Sequence, residues 1–117
     1  YVAYIDYANS GKATVMKFNG TNWVDVGNAG FSAGGALYTS LAINSSATPY
    51  VAYQDFANSG KATVMKFDGT NWVNVGNAGF SAGVADYTSL AITSDGTPYV
   101  AYRDGGNSGE ATVMSYQ

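Results

Sequence analysis

An all-β fold assembled from one repeated four-strand unit is what the sequence predicts, and three observations predict it. The segment YVAYIDYANSGKATVMKF at residue 1 returns as YVAYQDFANSGKATVMKF at residue 50 and begins again as YVAYRDGGNSGEATVMSY at residue 99. Residues 1–49 align on residues 50–98 without a gap and with nine substitutions, so the period is 49 residues. Within each period, short runs of β-branched and aromatic residues alternate with clusters of Gly, Asn, Asp and Ser, and no stretch carries the apolar spacing of an amphipathic helix.

The elements of the second copy follow in order. Tyr50-Val51-Ala52-Tyr53 is a short apolar strand ended by the turn cluster Ala57-Asn58-Ser59-Gly60. Ala62-Thr63-Val64-Met65-Lys66-Phe67 is a second strand, closed by the hairpin signal Asp68-Gly69. Asn71-Trp72-Val73-Asn74-Val75 reads as a third strand. A glycine-rich connection leads to Thr88-Ser89-Leu90-Ala91-Ile92, which turns through Ser94-Asp95-Gly96-Thr97-Pro98 into the next YVAY run. Across the chain this predicts ten strands, near residues 1–6, 12–18, 22–26, 38–44, 50–55, 61–67, 71–75, 87–93, 99–104 and 110–116.

Four antiparallel strands in a period of this length specify a β-propeller blade. The small residues of the SLAI segment suit the crowded region near an axis, so each blade runs SLAI, YVAY, ATVMKF, NWVNV, and the sequence phase is permuted relative to the blades. The 117 residues form a single partial propeller: repeat 1 at 1–49, repeat 2 at 50–98 and partial repeat 3 at 99–117. An isolated blade leaves apolar faces in water, which neighbouring copies cover. Two readings stay open. Either the chain is part of a longer repeat array, or it forms a homo-oligomer, a dimer or trimer that completes a ring. On the second reading residues 88–92 supply an inner strand to the blade begun by residues 1–26, leaving 99–116 surplus.

Composition removes several function classes. A hydrophobic content of 46% with 15% aromatics builds a core, and only 11% of residues are charged. The net charge of −3 gives no basic footprint for nucleic acid. The absence of cysteine and histidine removes disulfides, thiolate chemistry, the commonest general base and the commonest metal ligand. No apolar run approaches the ~18 residues of a membrane span. No signal peptide, cofactor or metal is expected, and the setting leans towards the extracellular space or a cell surface. Tyr1 in place of an initiator methionine fits a processed chain, a trimmed one or a fragment equally well.

Two family resemblances sit on these motifs. SLAITSDGTPYVAYRDGGNSGEATVMSY resembles the inner three strands of NHL-type propeller blades: an apolar strand, a D-x-G turn, a Y-V strand and a D-x-x-N turn. GKATVMKFNGTNW is similar in spacing to the blades of small fucose-binding propeller lectins, with a G-K strand that ends in an aromatic-D-G-x-x-W hairpin. The lectin resemblance implies that two-blade chains form a ring by association. The positions matching the lectins' fucose-binding glutamate are Val15, Val64 and Val113, and those matching its partner arginine are Val2, Val51 and Val100.

Candidate ligand-binding residues gather in the turn after each YVAY run: Asp6, Tyr7 and Asn9; Gln54, Asp55, Phe56 and Asn58; Arg103, Asp104 and Asn107. Asp and Asn side chains hold turns by bonding nearby backbone amides. As a ring of carboxylates they also offer hydrogen bonds to sugar hydroxyls. Ile5/Gln54/Arg103, Tyr7/Phe56/Gly105, Gly35/Val84 and Leu37/Asp86 change chemical class between copies, as expected either of unconstrained loops or of a ligand-tuned surface. Trp23 and Trp72 are expected to pack between sheets, and Tyr4, Tyr53 and Tyr102 to be core residues with a bonded hydroxyl. The resulting expectation is a non-enzymatic module that acts as a binding or self-assembling scaffold, with a multivalent carbohydrate-binding lectin as the alternative and a glycan as the possible ligand. Equivalent aspartates lack the asymmetry that an acid and base pair requires.

Overall fold

The computed structural model describes residues 1–117 and contains ten strands: β1 (Val2–Asp6), β2 (Lys12–Phe18), β3 (Trp23–Asp25), β4 (Ala36–Ile43), β5 (Pro49–Asp55), β6 (Lys61–Phe67), β7 (Trp72–Asn74), β8 (Ala85–Ile92), β9 (Pro98–Asp104) and β10 (Glu110–Ser115). All ten predicted strands are present, and their ends shift by two residues at most. They form three antiparallel sheets, ordered β1-β2-β3, β4-β5-β6-β7 and β8-β9-β10. The four-strand order SLAI, YVAY, ATVMKF, NWV is the one realised in the central sheet. Strands β4 and β8 begin earlier than expected because Ala36 and Leu37 already pair with Asp55 and Gln54 before the ladder slips and resumes at Ser40.

One expectation is overturned. Residues 88–92 do not lend an inner strand to the first sheet: β8 pairs with β9, placing Ser89 opposite Ala101 and Leu90 opposite Val100. Residues 110–115 are not surplus either, since β10 pairs with β9 from Ser115 opposite Tyr99 to Glu110 opposite Asp104. Both corrections have the same cause. Each YVAY strand lies a five-residue turn away from the SLAI strand before it, and that nearest partner is met first.

The sheets stack face to face, and the alternation of β5 shows how. Val51 and Tyr53 point to the first sheet, where they join Ala13, Val15, Val26, Met65 and Trp72. Tyr50 and Ala52 point to the third, with Val64, Leu90, Val100 and Tyr102. Every residue of β5 is therefore buried, whereas β9, covered on one face only, alternates buried Pro98, Val100, Tyr102 and Asp104 with exposed Tyr99, Ala101 and Arg103. The same run reads as a two-faced strand in one copy and a one-faced strand in the next. Burying each large apolar side chain contributes about 1.5–3 kcal/mol. No helix is long and apolar enough to cross a membrane.

The glycine-rich connections are ordered covers for the strand edges. After β7, Val75 N–H bonds to the Val64 carbonyl and Phe80 N–H to the Ala62 carbonyl; Ser81 Oγ accepts from Ala62 N–H at 2.9 Å and donates to the Gly83 carbonyl at 2.7 Å. Val26, Phe31 and Ser32 repeat this against β2. The short β3 and β7 strands are thus continued by a loop that keeps bonding to the same neighbour.

The two tryptophans, expected to behave alike, do not. Trp72 is 9% exposed, with its ring stacked on Phe31 at 4.1 Å and its Nε1–H donating to the Val26 carbonyl at 2.8 Å. Gly27 makes room for it: a Cβ there would lie 2.8 Å from Phe67 and 3.0 Å from the indole. Trp23 is 53% exposed, because the slot that receives an indole is made by the preceding sheet and β1-β2-β3 is the first of the three. The tyrosine hydroxyl is bonded in all copies, but only Tyr53 and Tyr102 are buried in the core, while Tyr4, in the first sheet, is half-buried. Tyr4, Tyr53 and Tyr102 donate to the sulfurs of Met16, Met65 and Met114 at 3.4, 3.2 and 3.2 Å.

Candidate functional site

The candidate residues lie at one end of the three sheets, where each YVAY strand ends in a short 3₁₀ turn: Tyr7–Asn9, Phe56–Asn58 and Gly105–Asn107. Asp55 caps the second turn and is 1% exposed. Its carboxylate accepts from Ala57 N–H at 3.1 Å, from Asn58 Nδ2 at 2.9 Å and from Thr63 Oγ1 at 2.7 Å. Thr63 Oγ1 accepts in turn from Gly79 N–H at 2.8 Å, which ties the turn through the strand to the connecting loop. Gly79 sits there at φ +63°, and a Cβ would come within 2.7 Å of Asn58. Asp6 repeats the arrangement with Ala8, Asn9 and Thr14, and Asp104 with Gly106, Asn107 and Thr112.

The aspartate and asparagine side chains are thus drawn together inside each turn. The threonine and the loop glycine of this network are absent from the sequence reading. A fixed spacing of eight residues separates Asp from Thr in every copy, and that was the available signal.

These bonds stabilise the ionised carboxylate. The Thr14 hydroxyl and then the Asn9 amide hold the Asp6 carboxyl below the usual carboxylate range, and Asn107 followed by Thr112 does the same for Asp104. A carboxyl with a depressed folded value contributes stability that is present above the ordinary value of about 3.9 and lost as pH falls through the folded one. Melting temperature is therefore expected to hold down to about pH 4 and to fall below it. Thr14→Val should move the Asp6 titration, read by carboxyl NMR, upwards towards the ordinary value. An unmoved titration would contradict the network.

The four class-changing positions are paired in space. Gln54 Nε2 donates to Asp86 Oδ1 at 2.8 Å across the boundary between second and third sheets, and Arg103 Nη1 reaches Asp86 Oδ2 at 3.2 Å. The repeat-equivalent positions at the preceding boundary carry Ile5 and Leu37, so an apolar couple has been exchanged for a polar one. Size is exchanged likewise. Phe56 N–H bonds to the Gly35 carbonyl with its ring beside that glycine, whereas Gly105 N–H bonds to the carbonyl of the larger Val84. In the second and third sheets the changes at Gln54, Asp86 and Arg103 and at Gly35, Phe56, Val84 and Gly105 each have a compensating neighbour, whereas Tyr7 stands exposed.

Gln54 is 4% exposed, so Asp86→Leu leaves its amide unpaired and should cost about 1–3 kcal/mol. Adding Gln54→Ile, which restores the chemistry of the first boundary, should recover most of that loss in urea unfolding. Additive losses would show that the two residues do not act as a couple.

Among the candidates, Tyr7 and Phe56 are exposed aromatics, Tyr7 at 82%, while Arg103 lies on the exposed face of β9. The structure therefore offers a polar cluster of Gln54, Asp86 and Arg103 flanked by the turn, with the three aspartates turned into their own turns. The Arg103–Asp86 pair is half open to water and is worth little to stability by itself.

No protein-family model matches the chain, and no curated protein matches it. Among solved structures the chain is similar to a fucose lectin from Kordia zhangzhouensis in complex with methyl-fucoside, with a TM-score of 0.60 and 13% identity, over 98% of this chain and 81% of that one. At this identity the likeness is one of fold.

Proposed function

We propose that the chain is a non-enzymatic β-propeller repeat module that serves as a self-assembling binding scaffold. The observation that carries this reading is the use of one sheet-to-sheet interface twice within the chain, with apolar side chains exposed on the first and third sheets. Val75, Gly76 and Phe80 repeat Val26, Gly27 and Phe31, the residues that seat Trp72. They line a cavity of about 170 Å³ together with Val64, Val100 and Tyr116. Trp23, beside Phe18 at 5.8 Å, is the matching exposed indole. A second copy that stacks its first sheet on the open face of the third, where Tyr99 and Val113 are exposed, would cover Trp23, a head-to-tail contact that closes into a ring when the rotation allows. Sedimentation equilibrium over a range of concentrations tests it. Association that weakens in Trp23→Ala supports the reading, and a monomer at every concentration overturns it.

A second reading, multivalent carbohydrate binding, is favoured by the fold shared with a fucose lectin. The candidate residues facing solvent, Tyr7, Phe56 and Arg103, supply the stacking surfaces and hydrogen-bonding groups that sugars use, while buried Gln54 holds Asp86 beside Arg103. The aspartates Asp6, Asp55 and Asp104, with Asn9, Asn58 and Asn107, shape the turn that presents them. Repetition would add avidity. A glycan array separates the two readings: strong binding to one sugar makes the lectin reading the primary one.

A further inference from the structure

Two tyrosines hold a backbone conformation that bulky residues avoid. Tyr38 and Tyr87 occupy the same place in β4 and β8, at φ of 53° and 54°. Each sits where the ladder to the neighbouring strand slips, between Leu37 and Ser40 and between Asp86 and Ser89. A left-handed position in a bulge is normally given to glycine or asparagine, and a bulky side chain there costs on the order of 1–3 kcal/mol. Elsewhere this chain meets positive φ with glycine, serine or one alanine.

Burial does not account for the choice, since Tyr87 is 65% exposed. The two rings meet across the strands, centroids 4.5 Å apart and planes at 51°. The backbone beneath them is fastened twice: the Thr88 hydroxyl donates to the Tyr38 carbonyl, and Leu90 N–H donates to Ser40 Oγ at 3.0 Å. Left-handed backbone thus recurs in both copies at one spot, where the half-buried Tyr38 ring and the exposed Tyr87 ring meet.

We propose that Tyr38 and Tyr87 form a stacking platform for the apolar face of a neutral pyranose ring, a site separate from the Asp turns and resting on the carbohydrate-binding reading. The C–H face of a sugar packs on an aromatic ring while its hydroxyls bond to the phenols. The Tyr87 phenol beside it, then burial and Asp86, push the Tyr38 phenol up, so it stays an uncharged donor at neutral pH. The acidic balance of the chain, −3, disfavours anionic ligands at this surface.

Saturation-transfer NMR on the whole chain, with methyl glycosides of neutral hexoses and 6-deoxyhexoses, tests the site. Transfer to the ring C–H protons of at least one glycoside is expected. Tyr38→Asn and Tyr87→Asn should each weaken that binding about tenfold or more, equivalent to about 1.4 kcal/mol, while the melting temperature stays level or rises because asparagine accepts the left-handed region. Tyr87→Phe should keep most of the affinity. If the asparagine variants melt several degrees lower, the tyrosines are packing residues and the proposal fails. If sugar binding survives unchanged in both, the lectin reading stands but this site does not. Absence of sugar binding by the unmodified chain overturns both. Tyrosine shifts on adding tetramethylammonium, with none on adding glycosides, would identify a cation cage and also overturn the proposal.

Discussion

Trp72→Ala is expected to lower stability by about 3–5 kcal/mol and Trp23→Ala, at concentrations too dilute for association, by about 1 kcal/mol or less. The two residues occupy the same place in the repeat, so any difference reports their surroundings. Removing Trp72 empties a slot bounded by Phe31 and Phe67, deletes a stacked pair and leaves the Val26 carbonyl without its donor. Gly27 and Gly30 are fixed at positive φ around it and give the slot little freedom to collapse. Trp23 has only Phe18 as an aromatic neighbour and is half in water. Urea unfolding of both variants measures the contrast. Equal losses in dilute solution would contradict the sheet stacking described above. A cost at Trp23 that grows with protein concentration would identify its indole as part of an interface.

Asp55→Ala is expected to cost about 2–4 kcal/mol, above the ~0.5–2 kcal/mol of an ordinary cap, because it strands several donors at once. The Thr63 hydroxyl loses its acceptor in a region closed to water, half-buried Asn58 Nδ2 loses its partner, and Ala57 N–H loses its cap. Asp55→Asn retains one acceptor oxygen and should lose less. Thermal unfolding gives the answer. An unchanged melting temperature together with lost ligand binding would make Asp55 a ligand-binding carboxylate instead of a turn-holder.

Much of the fold was legible because the period and the local signals agree. The short apolar run Tyr50-Val51-Ala52-Tyr53, the Asp68-Gly69 hairpin and the small residues of the SLAI run each specify their strand without reference to the rest of the chain. What was not legible depends on neighbours. Identical YVAY runs are buried on both faces in β5 and on one face in β9, and equivalent indoles are buried at 72 and exposed at 23, since burial depends on the adjoining sheet.

The candidate site shows the same division. That Asp6, Asp55 and Asp104 suit turns is readable from D-x-x-N-S-G. Their tie to Thr14, Thr63 and Thr112 crosses between strands and becomes visible only with the register. The exchanges Ile5 with Leu37 for Gln54 with Asp86, and Gly35 with Phe56 for Val84 with Gly105, look independent along the chain and prove coupled across it. Tyr38 and Tyr87 gave no signal at all. Tyrosine is an ordinary strand residue, and the left-handed φ that sets these two apart arises from a slipped ladder between strands.

Native mass spectrometry of the 117-residue chain, 12.1 kDa, tests the propeller scaffold most directly. Sheets related by one repeated interface, with apolar side chains exposed on the first and third sheets, predict a single closed assembly at a fixed multiple of the chain mass, abolished by Trp23→Ala. A folded monomer that persists at high concentration, or an open ladder of all multiples, would contradict ring closure between chains.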